Sequence, residues 1–340
     1  MHGWIILDKP LEMGSTQGVS AVKRVLRQGG YGKWKVGHGG TLDPLATGVL
    51  PIAIGEATKL AGRLLDSDKV YDFTIRFGTQ TATLDIEGAV IATSDIRPTR
   101  AALEAVLPRF TGPIEQVPPA YSALKVDGQR AYDLARAGEE VVLATRSVTV
   151  HRLHVPKTSA GPHHPFALSE VEGHGQGMGF DDALHERIEA QNKGPETPPG
   201  QPDEGLQEIT LTAHVSKGTY IRSLARDIAL ALGTVGHVTM LRRTKAGPFT
   251  LASAITLDKL NELGQARTLE QILLPLGAGL DDIPALALTP GQAGALRQGR
   301  VLAGIAMQDG MTLATLDRVP VALVEIANGD VRVLRGFNLD

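Results

Sequence analysis

The order of strand-like and helix-like runs restricts the fold of this 340-residue chain more than any other feature of its sequence. Residues 70–78, VYDFTIRFG, and residues 208–216, EITLTAHVS, alternate apolar and polar side chains, as a half-buried strand does. Residues 15–28 and 221–233 instead carry apolar side chains at helical spacing, and glycine marks the end of each run. Because these elements do not follow a repeating strand–helix–strand rhythm, the sequence predicts an α+β fold rather than a doubly wound parallel sheet.

Capping residues predict where two helices begin. Ser15 or Thr16 is expected to cap the first helix, because short hydroxyl side chains accept hydrogen bonds from free N–H groups in the first turn. Thr99 is expected to cap a second helix, which Pro108 should break. Residues 3–10, GWIILDKP, predict a short buried strand that ends at the proline.

The composition is that of an ordinary soluble globular protein, with 42% hydrophobic and 21% charged residues. No apolar run approaches the roughly 18 residues of a transmembrane helix, and the first residues lack the pattern of a secretory signal. The chain has no cysteine, which excludes disulfides, thiol nucleophiles and cysteine metal sites. These features predict a cytoplasmic protein.

The net charge of −3 conceals an uneven distribution along the chain. Between residues 156 and 207, nine acidic residues face three basic ones, so the remainder carries a net charge of +3. Basic residues cluster at 22–35, together with Tyr31 and Trp34, and again at 241–245. Such clusters suit a surface that follows nucleic-acid phosphates, although each run alone is also typical of a solvated helix face.

Residues 156–206, called the acidic segment below, interrupt the pattern of strands and helices. They are rich in Gly, Pro, His and acidic residues, and their lack of periodicity predicts a flexible insertion between two strands. The segment contains four histidines, whose spacing fits no standard set of metal ligands. No metal site is therefore predicted. The four are His163, His164, His174 and His185.

A change in texture near residue 281 predicts a second, smaller domain. Short strand-like runs follow one another, and Asn328-Gly329 lies between two of them, as in a tight hairpin. We therefore divide the chain into residues 1–280, interrupted by the acidic segment, and a small β-rich domain of residues 281–340.

Five segments, LDKP (7–10), GHGGTLDPLATGVLP (37–51), SDKVYDF (67–73), YSALKVDGQRAYDLARAG (121–138) and SKGTYIRS (216–223), occur in this order. Together they resemble the TruB family of tRNA pseudouridine synthases. The resemblance implies a pseudouridine-synthase fold, a mixed and largely antiparallel sheet flanked by helices, followed by a small PUA-like β domain. It also implies isomerisation of uridine 55 in the T stem-loop of tRNA.

The same resemblance implies roles for particular residues. Asp43, in LDPLATG, matches the catalytic nucleophile of the family. Tyr71 matches the tyrosine that stacks on the flipped base, and Arg222 matches the arginine that pairs with the aspartate. Two positions match RNA-binding residues of the family. His38 matches a histidine that holds the T loop, and Leu241 matches an apolar wall of the pocket. Tyr220, beside Arg222, is a further candidate for contact with RNA. Lys9 in LDKP is interpreted as a structural residue that closes the strand, with contact to RNA as the lesser alternative.

The chemistry explains these residue types. Pseudouridine formation breaks the bond from N1 to C1′ and remakes it at C5, without redox change, so no cofactor or metal is predicted. A carboxylate suits the first step as nucleophile, and a bidentate guanidinium would keep it ionised among the apolar neighbours of Asp43. The reasoning leaves open whether Asp43 attacks C6 or C1′. It also leaves open which base removes the C5 proton, for which Tyr71 is one candidate.

Alternatives remain at this point. An Asp before Pro often makes a turn, and only the combination of motifs favours catalysis at Asp43. A guide-RNA-dependent synthase and a tRNA-folding chaperone with the same fold are the rival functions. The chain is expected to act as a monomer, without an obligatory protein partner or membrane. One departure from the family lies in KPLEMGS, where Glu12 and Gly14 replace the usual Gly and Thr.

Overall fold

A computed structural model describes residues 1–122, 124–126, 128–139, 141–156 and 205–339. Most of the acidic segment, including its four histidines, lies outside the described residues. Its flexibility therefore stays a prediction. The helices are α1 (Ser15–Gln28), α2 (Ala61–Asp66), α3 (Arg100–Val106), α4 (Ala131–Arg136), α5 (Ile221–Ala231), α6 (Leu257–Ala266) and α7 (Pro290–Arg297). The strands are β1 (Gly3–Lys9), β2 (Val36–His38), β3 (Ala46–Ile54), β4 (Lys69–Phe77), β5 (Thr79–Thr81), β6 (Val90–Thr93), β7 (Gly112–Gln116), β8 (Lys125–Val126), β9 (Gln129–Arg130), β10 (Arg146–His154), β11 (Glu208–Val215), β12 (Gly236–Ala246), β13 (Phe249–Thr250), β14 (Ala285–Ala287), β15 (Gly310–Leu316), β16 (Val319–Ala327) and β17 (Asp330–Gly336).

A large mixed sheet organises the first part of the chain. Its strands lie in the order β1-β3-β12-β4-β11-β10-β7, with β2 beside β3 and β13 beside β12. Every pair is antiparallel except β3 and β12, which run parallel. The predicted α+β class and the largely antiparallel sheet are therefore confirmed.

Apolar clusters cover both faces of this sheet. Helix α5 packs through Leu224 and Ile228 against strands β4 and β11, in a cluster that includes Phe73. Helix α1 packs through Val22 and Leu26 against β1 and β3, in a second cluster. The alternation noted in the sequence places successive side chains on these two faces, because side chains along a strand point alternately to either side.

The predicted helix starts have different outcomes. The Thr99 hydroxyl accepts a hydrogen bond from the Ala102 N–H, as predicted, and α3 ends at Val106, just before Pro108. The predicted cap of α1 is wrong, because Gly14 occupies the N-cap position and its N–H donates to the Gln17 side chain. Ser15 is buried instead, and its hydroxyl forms hydrogen bonds with the backbone of Leu42.

Glu12 shows a cost of the unusual KPLEMGS motif. This residue has a φ of 64°, in the left-handed region that favours glycine. A side chain there costs about 1–2 kcal/mol relative to glycine.

A second, four-stranded sheet follows near the C-terminus, in the order β14-β15-β16-β17. Its hairpin turn has positive φ at both Asn328 and Gly329, as a type I′ turn requires, so the predicted hairpin is confirmed. Leu323 and Phe337 pack into a cluster with Trp4 of β1, which joins this sheet to the larger one. The small C-terminal β domain is thus present, whereas its boundary at residue 281 stays a prediction. Among the described residues, no helix combines the length and the apolar character that crossing a membrane requires.

Gly48 is expected to be essential where β3 meets β12. Its φ is +99°, and a Cβ added there would lie 2.2 Å from the Arg243 carbonyl oxygen. We therefore expect Gly48→Ala to lower the free energy of unfolding by about 2–4 kcal/mol in urea denaturation. Gly62→Ala is the matched control, since nothing lies within 4 Å of the added Cβ in helix α2. Equal unfolding midpoints for the two variants would contradict this close approach.

Candidate active site

The loop between β2 and β3, residues 39–45, carries Asp43 and is held by buried side chains from three other elements. The Ser15 hydroxyl accepts from the Leu42 N–H at 2.8 Å and donates to the Leu42 carbonyl at 3.0 Å. The Arg243 guanidinium donates to the carbonyls of Gly40 and Thr41. These bonds fix the loop backbone on the N-terminal side of Asp43.

Lys9 completes this support from β1. It is fully buried, and its ammonium donates to the carbonyls of Pro10, Met13 and Pro44. Burial lowers the pKa of Lys9 to about 8. Its complete burial contradicts the predicted contact with RNA, because all three ammonium donors already serve the protein backbone. Lys9 anchors the Asp43 loop instead.

Arg222 brings two carboxylates together from distant parts of the chain. It lies in the first turn of α5, and its Nη2 donates to Asp43 Oδ2 at 2.9 Å. Its Nη1 donates to Asp85 Oδ2 at 3.0 Å. Asp43 and Arg222 are thus in contact as predicted. The guanidinium donates one hydrogen bond to each of two aspartates, however, and does not form a bidentate pair with Asp43. Two backbone carbonyls, those of Thr83 and Tyr121, accept its remaining bonds.

The surroundings of Asp43 differ from the sequence expectation in another respect. Its side chain is 49% exposed, whereas that of Arg222 is only 9% exposed. The neighbouring Leu42 turns inward into the core, so the apolar residues of LDPLATG do not enclose the carboxylate. The Asp43 carboxylate therefore faces solvent, and the buried Arg222 orients it from the protein interior.

Asp85 is a site residue that sequence reasoning missed. It is buried, and it also accepts from the Thr83 hydroxyl and from the Glu87 N–H at 3.1 Å. These contacts fix its carboxylate, which in turn fixes the orientation of the Arg222 guanidinium. In a single sequence, TATLDIEG does not distinguish such a residue from an ordinary turn aspartate.

Tyr71 and Leu241 lie next to one another on the sheet, on β4 and β12. Leu241 pairs with Ala46 of β3 and with Phe73 of β4. Both Tyr71 and Leu241 are partly buried, and both contact the two apolar clusters of the sheet. The apolar surface predicted from these residues is therefore located just beyond the Asp43 loop.

A cleft of about 170 Å³ opens beside Tyr71. Gly40 and Thr41 form one side of it, and Gly218 and Thr219, just before α5, form another. Asp43 and Arg222 do not line this cleft. The cleft therefore lies next to the Asp43–Arg222 pair and shares Tyr71 with the site.

Tyr220 is held in place at the start of α5 by a buried side chain of β7. The Gln116 amide donates to the Tyr220 carbonyl at 3.1 Å and accepts from the Tyr220 N–H at 2.8 Å. Burial raises the pKa of the Tyr220 phenol above its ordinary value. These two hydrogen bonds fix the backbone of Tyr220, which directly precedes the helical turn that carries Arg222.

His38 ends β2 and is half-buried beside the Asp43 loop. Burial lowers its pKa, and the nearby Arg243 charge acts in the same direction, so the imidazole is neutral at pH 7. Its Nδ1 is buried, and none of the described residues provides a hydrogen-bond partner for it.

The polar groups of the site do not form a set of metal ligands. The carboxylates of Asp43 and Asp85 both bind the Arg222 guanidinium, which supplies the positive charge between them. The geometry offers a half-exposed carboxylate as nucleophile, a buried cation that orients it, and an aromatic face nearby. This arrangement suits covalent catalysis on a ring that can stack on Tyr71.

Comparison with known proteins gives matches over the whole chain. Residues 23–173 match the family model described as TruB family pseudouridylate synthase (N terminal domain). Residues 222–281 match the model described as tRNA pseudouridylate synthase B C-terminal domain.

Curated relatives match at high identity. The tRNA pseudouridine synthase B of Novosphingobium aromaticivorans is 60% identical over 339 residues, covering 100% of this chain and 98% of that protein. The protein of the same name from Zymomonas mobilis is 52% identical, covering 99% and 96%. Among solved structures, a Cbf5-Nop10-Gar1 complex aligns with a TM-score of 0.64 at 23% identity, covering 99% of this chain and 85% of that chain. This last likeness concerns the fold alone.

Proposed function

This chain belongs to the TruB family of pseudouridine synthases, and we propose that it isomerises uridine 55 in the T stem-loop of tRNA, with Asp43 as nucleophile. The observation that carries the proposal is the contact between Asp43 and Arg222, since it joins two family motifs 179 residues apart. The full-length relatives named tRNA pseudouridine synthase B support tRNA as the substrate. We place the reaction in the cytoplasm.

The reaction conserves all the atoms of the nucleotide. Asp43 attacks the nucleotide, the bond between N1 and C1′ breaks, and C1′ then bonds to C5, after which the bond to Asp43 breaks and the free carboxylate is restored. The hydrogen on C5 leaves as a proton, while N1 gains one. Arg222 aims the Asp43 carboxylate, and Asp85 holds the guanidinium still, so the nucleophile is positioned before the substrate arrives.

The target base must leave its stack to reach Asp43. Tyr71 provides an aromatic face and Leu241 an apolar wall, and stacking on an aromatic side chain is worth about 1–3 kcal/mol per base. The half-buried His38 imidazole, beside the Asp43 loop, is suited to a hydrogen bond with the rearranged loop through its accessible edge. These contacts offset part of the cost of unstacking.

A basic surface extends from the site along α1. None of the ion pairs found among the described residues involves Lys23, Arg24, Arg27, Lys33 or Lys35. Helix α1 begins where Ser15 contacts the Asp43 loop and carries Lys23, Arg24 and Arg27, while Lys33 and Lys35 belong to the segment between α1 and β2. Cations without carboxylate partners are suited to phosphates, and we assign this surface to the tRNA backbone.

Release of tritium from a T-arm transcript labelled at C5 of uridine tests the proposed function. The purified chain alone is expected to release tritium, without guide RNA or partner protein, and to act as a monomer. A transcript with cytidine at position 55 is the matched control and should release none above background. Binding without release would favour the tRNA chaperone, and release only with added guide RNA would favour the guided synthase.

Tyr71 variants separate stacking from proton transfer. Tyr71→Phe keeps the aromatic face but removes the hydroxyl, whereas Tyr71→Leu removes both. We expect Tyr71→Leu to lower kcat by about tenfold to a hundredfold through lost stacking. If the phenol takes the C5 proton, Tyr71→Phe will be as slow as Tyr71→Leu and will accumulate an intermediate. Wild-type rates for both variants would remove Tyr71 from the proposal.

A further inference from the structure

A cluster of Asp68, His151 and His214 lies away from the Asp43 site. The Nε2 of His151 is 3.1 Å from Asp68 Oδ2, and the Nε2 of His214 is 3.6 Å from the same oxygen. The two imidazole rings lie side by side, with centroids 4.8 Å apart. One ligand atom from each residue lies within 4.8 Å of the others. Two imidazole nitrogens and one carboxylate oxygen thus converge on one point.

The local backbone explains why the three residues meet. The register of β10 against β11 shifts between Val150 and Arg152, so His151 is the extra residue of a β-bulge. A bulge redirects a side chain that would otherwise alternate with its neighbours. Here His151 lies beside His214, on the face of β11 opposite the buried Leu211 and Val215, and Asp68 immediately precedes β4, the next strand.

We propose that Asp68, His151 and His214 form a surface site for one late first-row divalent metal ion, with Zn²⁺ as the representative ion. Imidazole nitrogen and carboxylate oxygen are ligands that Zn²⁺ prefers, and three protein ligands leave a fourth position open to water or another donor. The site is separate from the isomerisation, which needs no metal in the mechanism above.

The distances fit this ion with a small adjustment. Zn²⁺ bonds of about 2.0–2.1 Å in a tetrahedral arrangement place neighbouring ligand atoms about 3.3 Å apart. The two distances to Asp68 Oδ2, 3.1 and 3.6 Å, already bracket that value. Only the separation of the two histidine nitrogens has to shorten. Side-chain exposures of 37% to 47% leave these side chains room to rotate.

The Asp68 carboxylate forms no ion pair with a lysine or arginine among the described residues, although Lys69 and Lys245 add positive charge near the cluster. Among the described residues, the ion-pair partners of its carboxylate are these two histidines, which are uncharged when they act as metal ligands. The adjacent Lys69 is buried and directs its ammonium to the carbonyls of Leu64, Leu65 and Ser67, so it acts on Asp68 as a neighbouring charge and not as an ion-pair partner. The Asp68 carboxylate therefore has no permanently charged partner among the described residues, and a divalent ion would supply one.

Binding at this site would join three neighbouring strands beside the substrate cleft. Asp68 precedes β4, three residues before Tyr71, while His151 and His214 belong to β10 and β11. An ion bound by all three would tie the start of β4 to the strands that flank the acidic segment. We expect Zn²⁺ to raise the melting temperature of the metal-free protein, an effect that does not depend on catalysis.

Calorimetric titration of the metal-free full chain with Zn²⁺ tests the site, and Co²⁺ absorption reports the ligand geometry. Because the histidines of the acidic segment also offer imidazole ligands, the decisive comparison is with the double variant His151→Gln, His214→Gln. That variant should lose one equivalent of Zn²⁺ and the Zn²⁺-induced rise in melting temperature. Asp68→Asn should weaken the binding by about tenfold or more.

Two controls keep the test specific. Asp66→Asn removes an exposed carboxylate two residues away, and His154→Gln removes another histidine of β10, so both should bind Zn²⁺ like the wild type. All four ligand and control variants are compared by melting temperature without metal, to verify that they fold. Wild-type stoichiometry and affinity in the double variant, or no Zn²⁺ binding by the wild-type chain, would overturn the proposal.

Discussion

Asp43→Asn is expected to reduce the rate of pseudouridine formation by about 10⁴-fold or more, which corresponds to about 5 kcal/mol of lost transition-state stabilisation. The amide has nearly the shape of the carboxylate but is a far weaker nucleophile, so the first covalent step fails. The measurement is single-turnover release of C5 tritium, with enzyme in excess over a T-arm transcript. Under those conditions the rate reports the chemistry and not the release of product.

RNA binding provides the internal control for this variant. Asp43 is half-exposed and its loop is held by Ser15, Lys9 and Arg243, none of which needs the carboxylate. The affinity of Asp43→Asn for the T-arm transcript should therefore stay within about threefold of the wild type, or rise as a charge near phosphates is removed. If tritium is released at the wild-type rate, Asp43 is not the nucleophile.

Arg222→Lys is expected to lower kcat by about 10²- to 10³-fold although the positive charge is kept. The guanidinium donates to Asp43, Asp85 and two carbonyls in different directions, and an ammonium cannot reach all of them from one point. Asp85 is buried and depends on this donor. We therefore also expect a loss of about 1–3 kcal/mol in the free energy of unfolding.

Arg226→Lys is the matched control, one turn further along α5. Arg226 pairs with the adjacent Asp227 and is more exposed than Arg222, so its replacement should leave kcat and stability close to wild type. If the two lysine variants behave alike, the orientation of Asp43 does not depend on the guanidinium. A kcat loss for Arg222→Lys with unchanged KM would support a role in the chemical step.

The sequence was sufficient for the features that depend on local pattern. Alternation and helical spacing predict β4, β11, α1 and α5, and the Asn328-Gly329 turn predicts the hairpin of β16 and β17, because these elements express their side-chain period or turn chemistry directly. The contact of Asp43 with Arg222 came from the resemblance to the family and not from pattern alone, since 179 residues separate them.

The failures share a physical cause, which is that long-range partners decide what a polar side chain does. Ser15 is chemically suited to cap α1, yet it binds Leu42 of a distant loop. Lys9 is structural, as its first interpretation predicts, and only the lesser alternative of RNA contact fails, because its donors serve buried carbonyls. Asp85 resembles a turn residue until Arg222 is placed beside it. His151 joins His214 only through a bulge, which no period in the sequence predicts.

Mass spectrometry of tRNA from cells lacking this protein tests the central claim most directly. The account predicts that uridine 55 stays unmodified in the deletion strain, that the wild-type chain restores pseudouridine there, and that Asp43→Asn does not. Pseudouridine at position 55 in the deletion strain, or its restoration by Asp43→Asn, would contradict the account.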